Sequence, residues 1–374
     1  MDDFAYLDWN ATTPLGEGVL AAMVAASQRA GANPSSVHRA GRLARRILED
    51  LREKIAQVME AAPQDVLFTG SGTEANNIAI RSPFVEARGV LITSRLEHPS
   101  VTRVAEALER EGRAQVHWAP VSAAGLIDVG NVREVLRRGG VRLVTLQAVN
   151  QETGVVQPVQ EVHAECMQAG VPIHVDAVQA FGRMEVPLLG TTRTLAAHKF
   201  QGPKGIGAVV SSCGHRLHPV LLGGAQEKGL RPGTLDPMAA AGFLAALQER
   251  HRCRAGFAAQ RASRDRLEAH VLSAFPGSEV NGDPALRLAH VSNVAVAGLD
   301  GAELVVALDV EGVAVSSGSA CSAGTLEPSP VIAAMHSVAR AKSSIRMSLG
   351  PGTTDRIVDG ALQAISRIAG RPRR

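Results

Sequence analysis

The sequence predicts an α/β protein with a large domain built on a mostly parallel, mixed sheet and a smaller α+β domain. Three observations carry this. Apolar strand-like runs alternate with helical patterns from residue 66 to residue 177, which implies a mostly parallel sheet with covered faces. The pattern changes after about residue 235. The 374 residues exceed one typical hydrophobic core, so two domains are expected.

In chain order, residues 36–60 read as one long amphipathic helix. Candidate strands follow at 66–70, 90–94, 115–121, 141–149 and 171–177, with helical patterns such as 99–111 and 158–169 between them. The first strand, Val66-Leu67-Phe68-Thr69-Gly70, passes through glycines into a helix beginning near Thr73. Gly207-Ala208-Val209-Val210 adds a short apolar strand. Beyond residue 235 one long Ala/Arg/Leu helix is predicted, then short strands near 290–296, 312–316 and 344–349 with helices between. The chain shows no internal repeat or low-complexity tract.

The chemistry starts from lysine. Of 39 basic residues only five are lysines, so arginine serves wherever a charge alone suffices. Lys199 closes the small-residue stretch Thr194-Leu195-Ala196-Ala197-His198 and precedes the glycine-rich run Gly202–Gly207. A partly desolvated lysine amine becomes a nucleophile toward an aldehyde, which a guanidinium does not. The apolar run Val171-Pro172-Ile173-His174-Val175 delivers Asp176 to a strand's C-terminal end, where α/β sheets place their chemistry. A carboxylate there needs a positive partner, and a protonated pyridine nitrogen is one. The helix start after Gly70-Ser71-Gly72-Thr73 offers backbone N–H groups and a positive dipole end to a phosphate. An aldehyde-reactive lysine, a pyridine-pairing aspartate and a phosphate-holding helix are together the three handles of pyridoxal 5'-phosphate.

At these residues the chain resembles the cysteine desulfurases of the class V aminotransferase superfamily, in the branch with the longer catalytic loop that serves iron–sulfur assembly. The similarity runs nearly end to end, in order. It includes Tyr6 to Pro14, Asn33 to His38, Gly72-Thr73-Glu74, Glu97-His98, Gly154 to Gln157, Asp176 to Gln179, His198-Lys199 and Gly202 to Gly207. It continues through Gln226-Glu227, Gly233-Thr234, Ser316 to Cys321, Leu326 to Ser329 and Ser343 to Gly350. The resemblance implies fold type I of the pyridoxal-phosphate-dependent transferases, the aspartate aminotransferase fold. It also implies a large cofactor-binding domain over 13–255 and a small domain made of 1–12 and 256–374 that carries the catalytic cysteine loop.

Carried over residue by residue, Lys199 would hold the cofactor covalently and later shuttle the substrate's α-proton. Asp176 would keep the pyridine nitrogen protonated, His98 would stack on the ring and assist proton transfer, and Gln179 would face the ring hydroxyl. Gly72, Thr73, His198 and, from the neighbouring subunit of a homodimer with shared sites, Thr234 would hold the phosphate. Arg346 would clamp the carboxylate of L-cysteine, with Asn150 and Gln151 beside the substrate. Cys321, as thiolate, would take the sulfur and become a persulfide for an iron–sulfur scaffold or another sulfur acceptor.

Departures from the family pattern stand beside these matches. Gln151 occupies the place of an asparagine, one methylene further out, and Ala196 that of a serine in the phosphate shell. Ala225 and Pro232 replace a glycine and a small polar residue. The chain ends at Arg371-Pro372-Arg373-Arg374, soon after its last helix and without the longer tail of scaffold-docking relatives. Two other readings on the same scaffold follow: a selenocysteine lyase, aminotransferase or racemase that needs only Lys199 and the cofactor, or a non-catalytic binding partner.

Composition removes other classes. The net charge is only +3 and the arginines are scattered along helices, as at Arg42, Arg45, Arg46 and Arg52, so nucleic acid is not the expected partner. An acidic N-terminus and the absence of a membrane-length apolar run predict a cytoplasmic protein. Cys166, Cys213, Cys253 and Cys321 lie far apart without C-x-x-C spacing, which disfavours metal and disulfide frameworks. Cys321 alone sits in a run, Ser316 to Thr325, with nothing to bury it.

Overall fold

The computed structural model describes residues 4–185, 188–212, 214–318 and 328–371. Its strands, in chain order, are β1 (Ala5–Tyr6), β2 (Val66–Thr69), β3 (Gly89–Ser94), β4 (Ala114–Ala119), β5 (Val141–Gln147) and β6 (Ile173–Asp176). They continue with β7 (Thr192–Ala196), β8 (Gly207–Ser211), β9 (Glu279–Val280), β10 (Val291–Ala295), β11 (Val313–Ala314) and β12 (Ser344–Ser348). Seven form one sheet in the order β2-β8-β7-β6-β5-β3-β4. Only β8 runs against its neighbours, so the sheet is mixed and mostly parallel.

Strands of a sheet covered on both faces are buried along their whole length, as β6, β7 and β8 are at every position. One side of the large core gathers Leu48, Ile55, Phe68, Phe200, Phe243 and Phe257, and another gathers Ile92, Val144, Leu146, Val162 and Ile173. Strand β7 is absent from the sequence expectation because Thr192, Arg193 and Thr194 interrupt its apolar character. It is nevertheless wholly buried, and Arg193 Nη1 recovers a hydrogen bond to the Leu188 carbonyl at 2.7 Å.

The amphipathic helix expected over 36–60 spans Arg39–Val58 and buries the stripe Ala44, Leu48, Arg52 and Ile55. An arginine in that stripe needs a partner. Arg52 Nη1 donates to Glu227 Oε2 at 2.9 Å and to the Val66 carbonyl at 2.8 Å, while Glu227 Oε2 also accepts the Phe68 N–H at 2.8 Å. This pair straps the turn Gln226–Gly229 to the sheet, where Glu227 and Lys228 hold left-handed φ values of 47° and 58°.

The single long helix predicted after residue 235 is corrected to three, Pro237–Gln248, Arg250–Ala258 and Arg261–Ala274. Glu249 and Gln260, near ψ 0°, mark the breaks. No glycine or proline signals them; at Gln260 the chain changes core. Phe243 and Leu247 pack in the large core, whereas Leu267 and Val271 join Leu7, Val294, Leu304, Ile345 and Val358 in a second one. That second layer holds the antiparallel sheet β12-β10-β9 and the parallel pair β1-β11, so the N-terminal residues pair with the C-terminal part of the chain. No helix among the described residues is long and apolar enough to cross a membrane.

Candidate active site

The carboxyl ends of β5, β6 and β7 and the start of the helix Gly72–Arg81 converge on a cavity of about 180 Å³. Crevices beyond the carboxyl ends of parallel strands are where α/β sheets bind ligands. Of the residues singled out from the sequence, Gly72, Thr73, His98, Gln151, Asp176, Gln179, His198 and Lys199 all line it.

Asp176 ends β6 with its carboxylate fixed: Oδ2 accepts from Asn76 Nδ2 at 2.7 Å and Oδ1 from the Val178 N–H at 3.0 Å. Lys199 closes the short turn after β7. Its Nζ donates to the carbonyls of Asn10 and Ala11 at 2.7 and 2.9 Å. Arg183, buried in full, ties Asn10 to Lys199, donating to the Trp9 carbonyl at 3.0 Å, to Asn10 Oδ1 at 2.6 Å and to the Lys199 carbonyl at 3.0 and 3.2 Å. Burial pulls its pKa down to about 9. Gln179 accepts from Arg183 and donates to the Asn10 carbonyl at 3.1 Å.

At the other end, Ser71 caps the helix through Oγ, which accepts the Glu74 N–H at 3.1 Å. The N–H groups of Gly72 and Thr73 belong to the first turn, which has no intrahelical acceptor, and the helix dipole adds positive potential there. Gly72 leaves the cradle open: a Cβ on it would stand 3.1 Å from Val178 Cγ2 and 3.3 Å from Ala196 Cβ. His198 Nδ1 lies 3.1 Å from Thr12 Oγ1, and burial with the charges of Lys199, Arg183 and Lys204 brings its pKa down to about 4, so the ring is neutral. Gln151 Nε2 is buried in the cavity wall without a hydrogen-bond partner. An anion-binding helix start, a fixed carboxylate, a lysine amine and an unsatisfied amide donor fit a phosphorylated pyridine aldehyde.

His98 caps the helix Pro99–Arg110, its Nδ1 accepting the Ser100 N–H at 3.1 Å. Its pKa is lowered, chiefly by burial and further by Lys199, against an upward pull from Asp176. Glu97, buried beside it, is pushed well above its ordinary carboxylate value by burial.

Three expected site residues stand elsewhere. Asn150 does not line the cavity: its Oδ1 accepts from the N–H groups of Glu152 and Thr153 at 2.9 and 2.8 Å, and Nδ2 donates to the Leu96 carbonyl at 2.9 Å, so its amide builds the turn that presents Gln151. Arg346 on β12 is buried and pairs with Asp8 at 2.5 Å, and its Nη1 donates to the carbonyls of Gln151 and Gly318 at 3.0 and 3.2 Å. Its Nε has no partner. Thr234 is exposed on the surface of the chain.

Cys321 lies outside the described residues, as does Cys213. Cys166 and Cys253 are free thiols at 0 % and 3 % exposure, pushed by burial to about 12 and about 11. Both are poor nucleophiles. Sequence reasoning missed Arg183, Ser100 and the role of Asn76, although Asn76 stands only two residues beyond the Gly72-Thr73-Glu74 helix start.

The chain matches the model of the family described as aminotransferase class-V over residues 5–360. It is 38 % identical to cysteine desulfurase 2 of Trichormus variabilis over 98 % of this chain and 94 % of that one. It is 36 % identical to the IscS-like cysteine desulfurase of Mycobacterium tuberculosis, over 99 % and 97 % of the two chains. A solved NifS-like protein, 28 % identical, superposes with a TM-score of 0.89 over 98 % of this chain and 99 % of its own.

Proposed function

The chain belongs to the class V aminotransferase family, and from that premise we propose that it is a pyridoxal-phosphate-dependent cysteine desulfurase. In this reading L-cysteine and the Cys321 thiol give L-alanine and a Cys321 persulfide; the C–S bond breaks and an S–S bond forms. The convergence of Lys199, Asp176, His98 and the Gly72 helix start on one cavity carries it.

The cofactor, when bound, supplies an electron-withdrawing ring that weakens bonds at the substrate's α- and β-carbons. The chain's own residues do the rest. The Asp176 carboxylate, oriented by Asn76 and Val178, stands ready to keep a pyridinium charged. Gly72 and Thr73 offer N–H groups to the phosphate, with neutral His198 beside them. Lys199 Nζ takes and returns the α-proton, and the two backbone carbonyls it now engages keep the amine aimed at the cavity. Arg346, held outside the cavity wall by Asp8 and by the Gln151 and Gly318 carbonyls, would clamp the substrate carboxylate by exchanging those partners for it. A persulfide needs a thiol or sulfur acceptor to discharge it, so we assign the protein an acceptor partner such as an iron–sulfur scaffold.

Purified, cofactor-loaded protein is expected to release alanine and, with a thiol reductant, sulfide in equal amounts from L-cysteine. Transamination or racemisation without sulfur release would overturn the reading. We further propose a cytoplasmic homodimer in which the exposed Thr234 reaches the partner's phosphate site. The free buried thiols Cys166 and Cys253 support the compartment. Recovery outside the cytoplasmic fraction, or a one-chain mass by light scattering at working concentration, would refute the respective part.

A further inference from the structure

A single chain of polar groups runs from the interior of the sheet to the cavity. Thr192 on β7 pairs with His174 on β6, and Thr192 Oγ1 lies 2.8 Å from His174 Nδ1. His174 Nε2 lies 3.0 Å from Asn76 Oδ1. Asn76 Nδ2 spends its two hydrogens on Asp176 Oδ2 at 2.7 Å and on Ser100 Oγ at 2.8 Å. Ser100 Oγ lies 2.8 Å from His98 Nδ1, which already accepts the Ser100 N–H at 3.1 Å.

The direction of every link follows from what each group can do. A carboxylate only accepts, so Asn76 turns its NH₂ toward Asp176 and its oxygen toward His174. An amide oxygen also only accepts, so His174 carries its hydrogen on Nε2. Burial brings the His174 pKa to about 4, and the neutral ring accepts the Thr192 hydroxyl hydrogen at Nδ1. Ser100 Oγ accepts from Asn76, and its hydrogen points to His98 Nδ1. The backbone N–H at the same nitrogen demands the same polarity. The hydrogen of neutral His98 therefore sits on Nε2, across the ring.

We propose that Asn76, Ser100 and His174 are positioning residues which together hold His98 as its Nε2–H tautomer and aim the Asp176 carboxylate. One amide thus serves both groups. His98 then carries its hydrogen-bond donor at Nε2 and is not a base at that atom, because taking up a proton happens only at Nδ1 and requires the Ser100 hydroxyl to turn away. This rests on the desulfurase reading only for what Asp176 and His98 act upon. Among the described residues the charged groups facing His98 are Asp176 from β6 and Lys199 after β7; burial raises the Glu97 pKa well above its usual range and brings that of His174 to about 4.

The test is ¹⁵N–¹H correlation of the imidazoles in full-length protein labelled with ¹⁵N-histidine, cofactor-loaded and substrate-free, with His98 assigned by its loss in His98→Gln. The wild type should show Nε2–H at pH 7. Ser100→Ala removes a bond made to the neutral ring, so the His98 midpoint should rise by up to about one pH unit, the worth of one hydrogen bond. Ser100→Thr, which keeps the hydroxyl, should restore it. Asn76→Asp turns a donor into an acceptor: the midpoint should rise further, and the visible cofactor band should shift, which Ser100→Ala should not cause. A proton on Nδ1 in the wild type, or equal midpoints in wild type and Ser100→Ala, would overturn the proposal. Should Asn76→Asp fail to fold, the two Ser100 variants decide alone. None of these readouts uses cysteine, so a protein that keeps the tautomer but releases no sulfide refutes the function and leaves the relay standing.

Discussion

Lys199→Ala is expected to abolish the visible absorption of the cofactor-loaded protein and to lower turnover by about 10³-fold or more, the scale of losing a positioned proton-transfer group. Lys204→Ala is expected to keep most of both. The contrast is geometric. Lys199 lines the cavity with its amine fixed on the Asn10 and Ala11 carbonyls, whereas Lys204 is exposed outside the cavity wall. The two lysines stand five residues apart in one glycine-rich stretch, so a general disturbance of that stretch would affect them alike. A band lost in Lys204→Ala and kept in Lys199→Ala would overturn the assignment of every residue around the cavity.

Cys321→Ser is expected to bring sulfide release from L-cysteine to background while cofactor binding and the spectral change on adding cysteine persist. A hydroxyl at neutral pH is a far poorer nucleophile than a thiolate toward sulfur. The other described thiols cannot take over, since burial holds Cys166 and Cys253 protonated inside their cores. Measured together, the absorbance and the sulfide separate loading from sulfur transfer. Sulfide release that survives the substitution would move the nucleophile to Cys213 or remove thiol chemistry from the reaction.

Much of the site was legible in the sequence because its chemistry sits at the ends of short, strongly patterned elements. Val171–Val175 is apolar except at His174 and stops at Asp176, and that ending places a carboxylate at the sheet's reactive edge. The lysine economy marks Lys199, and the glycines before Thr73 mark the helix start. Asn150 shows where such reading stops. Its neighbour Gln151 faces the cavity and it does not, a difference set by which amide the turn to Thr153 consumes.

The sequence by itself determined the alternating architecture, the position of most of the main strands and the identity of the cavity's lysine and aspartate, because periodicity and residue chemistry are local properties, while its histidines were legible only through the family resemblance. Folding decided the rest. Strand β7 holds despite its threonines and arginine because both neighbouring strands pair its backbone, His174 meets Thr192 Oγ1 and the Leu188 carbonyl takes Arg193 Nη1, although Thr194 Oγ1 and Arg193 Nε are left without partners. The helical stretch after residue 235 breaks at Gln260 where it passes from one core to the other, and breaks once before that, at Glu249, within the first core. Arg346 meets Asp8 across 338 residues, Arg183 meets Asn10 across 173, and Asn76 meets Asp176 across 100. Hydrogen-bond partners so far apart leave no periodic trace in the chain, and a buried polar group reveals its role only when its partners are brought to within 3 Å of it.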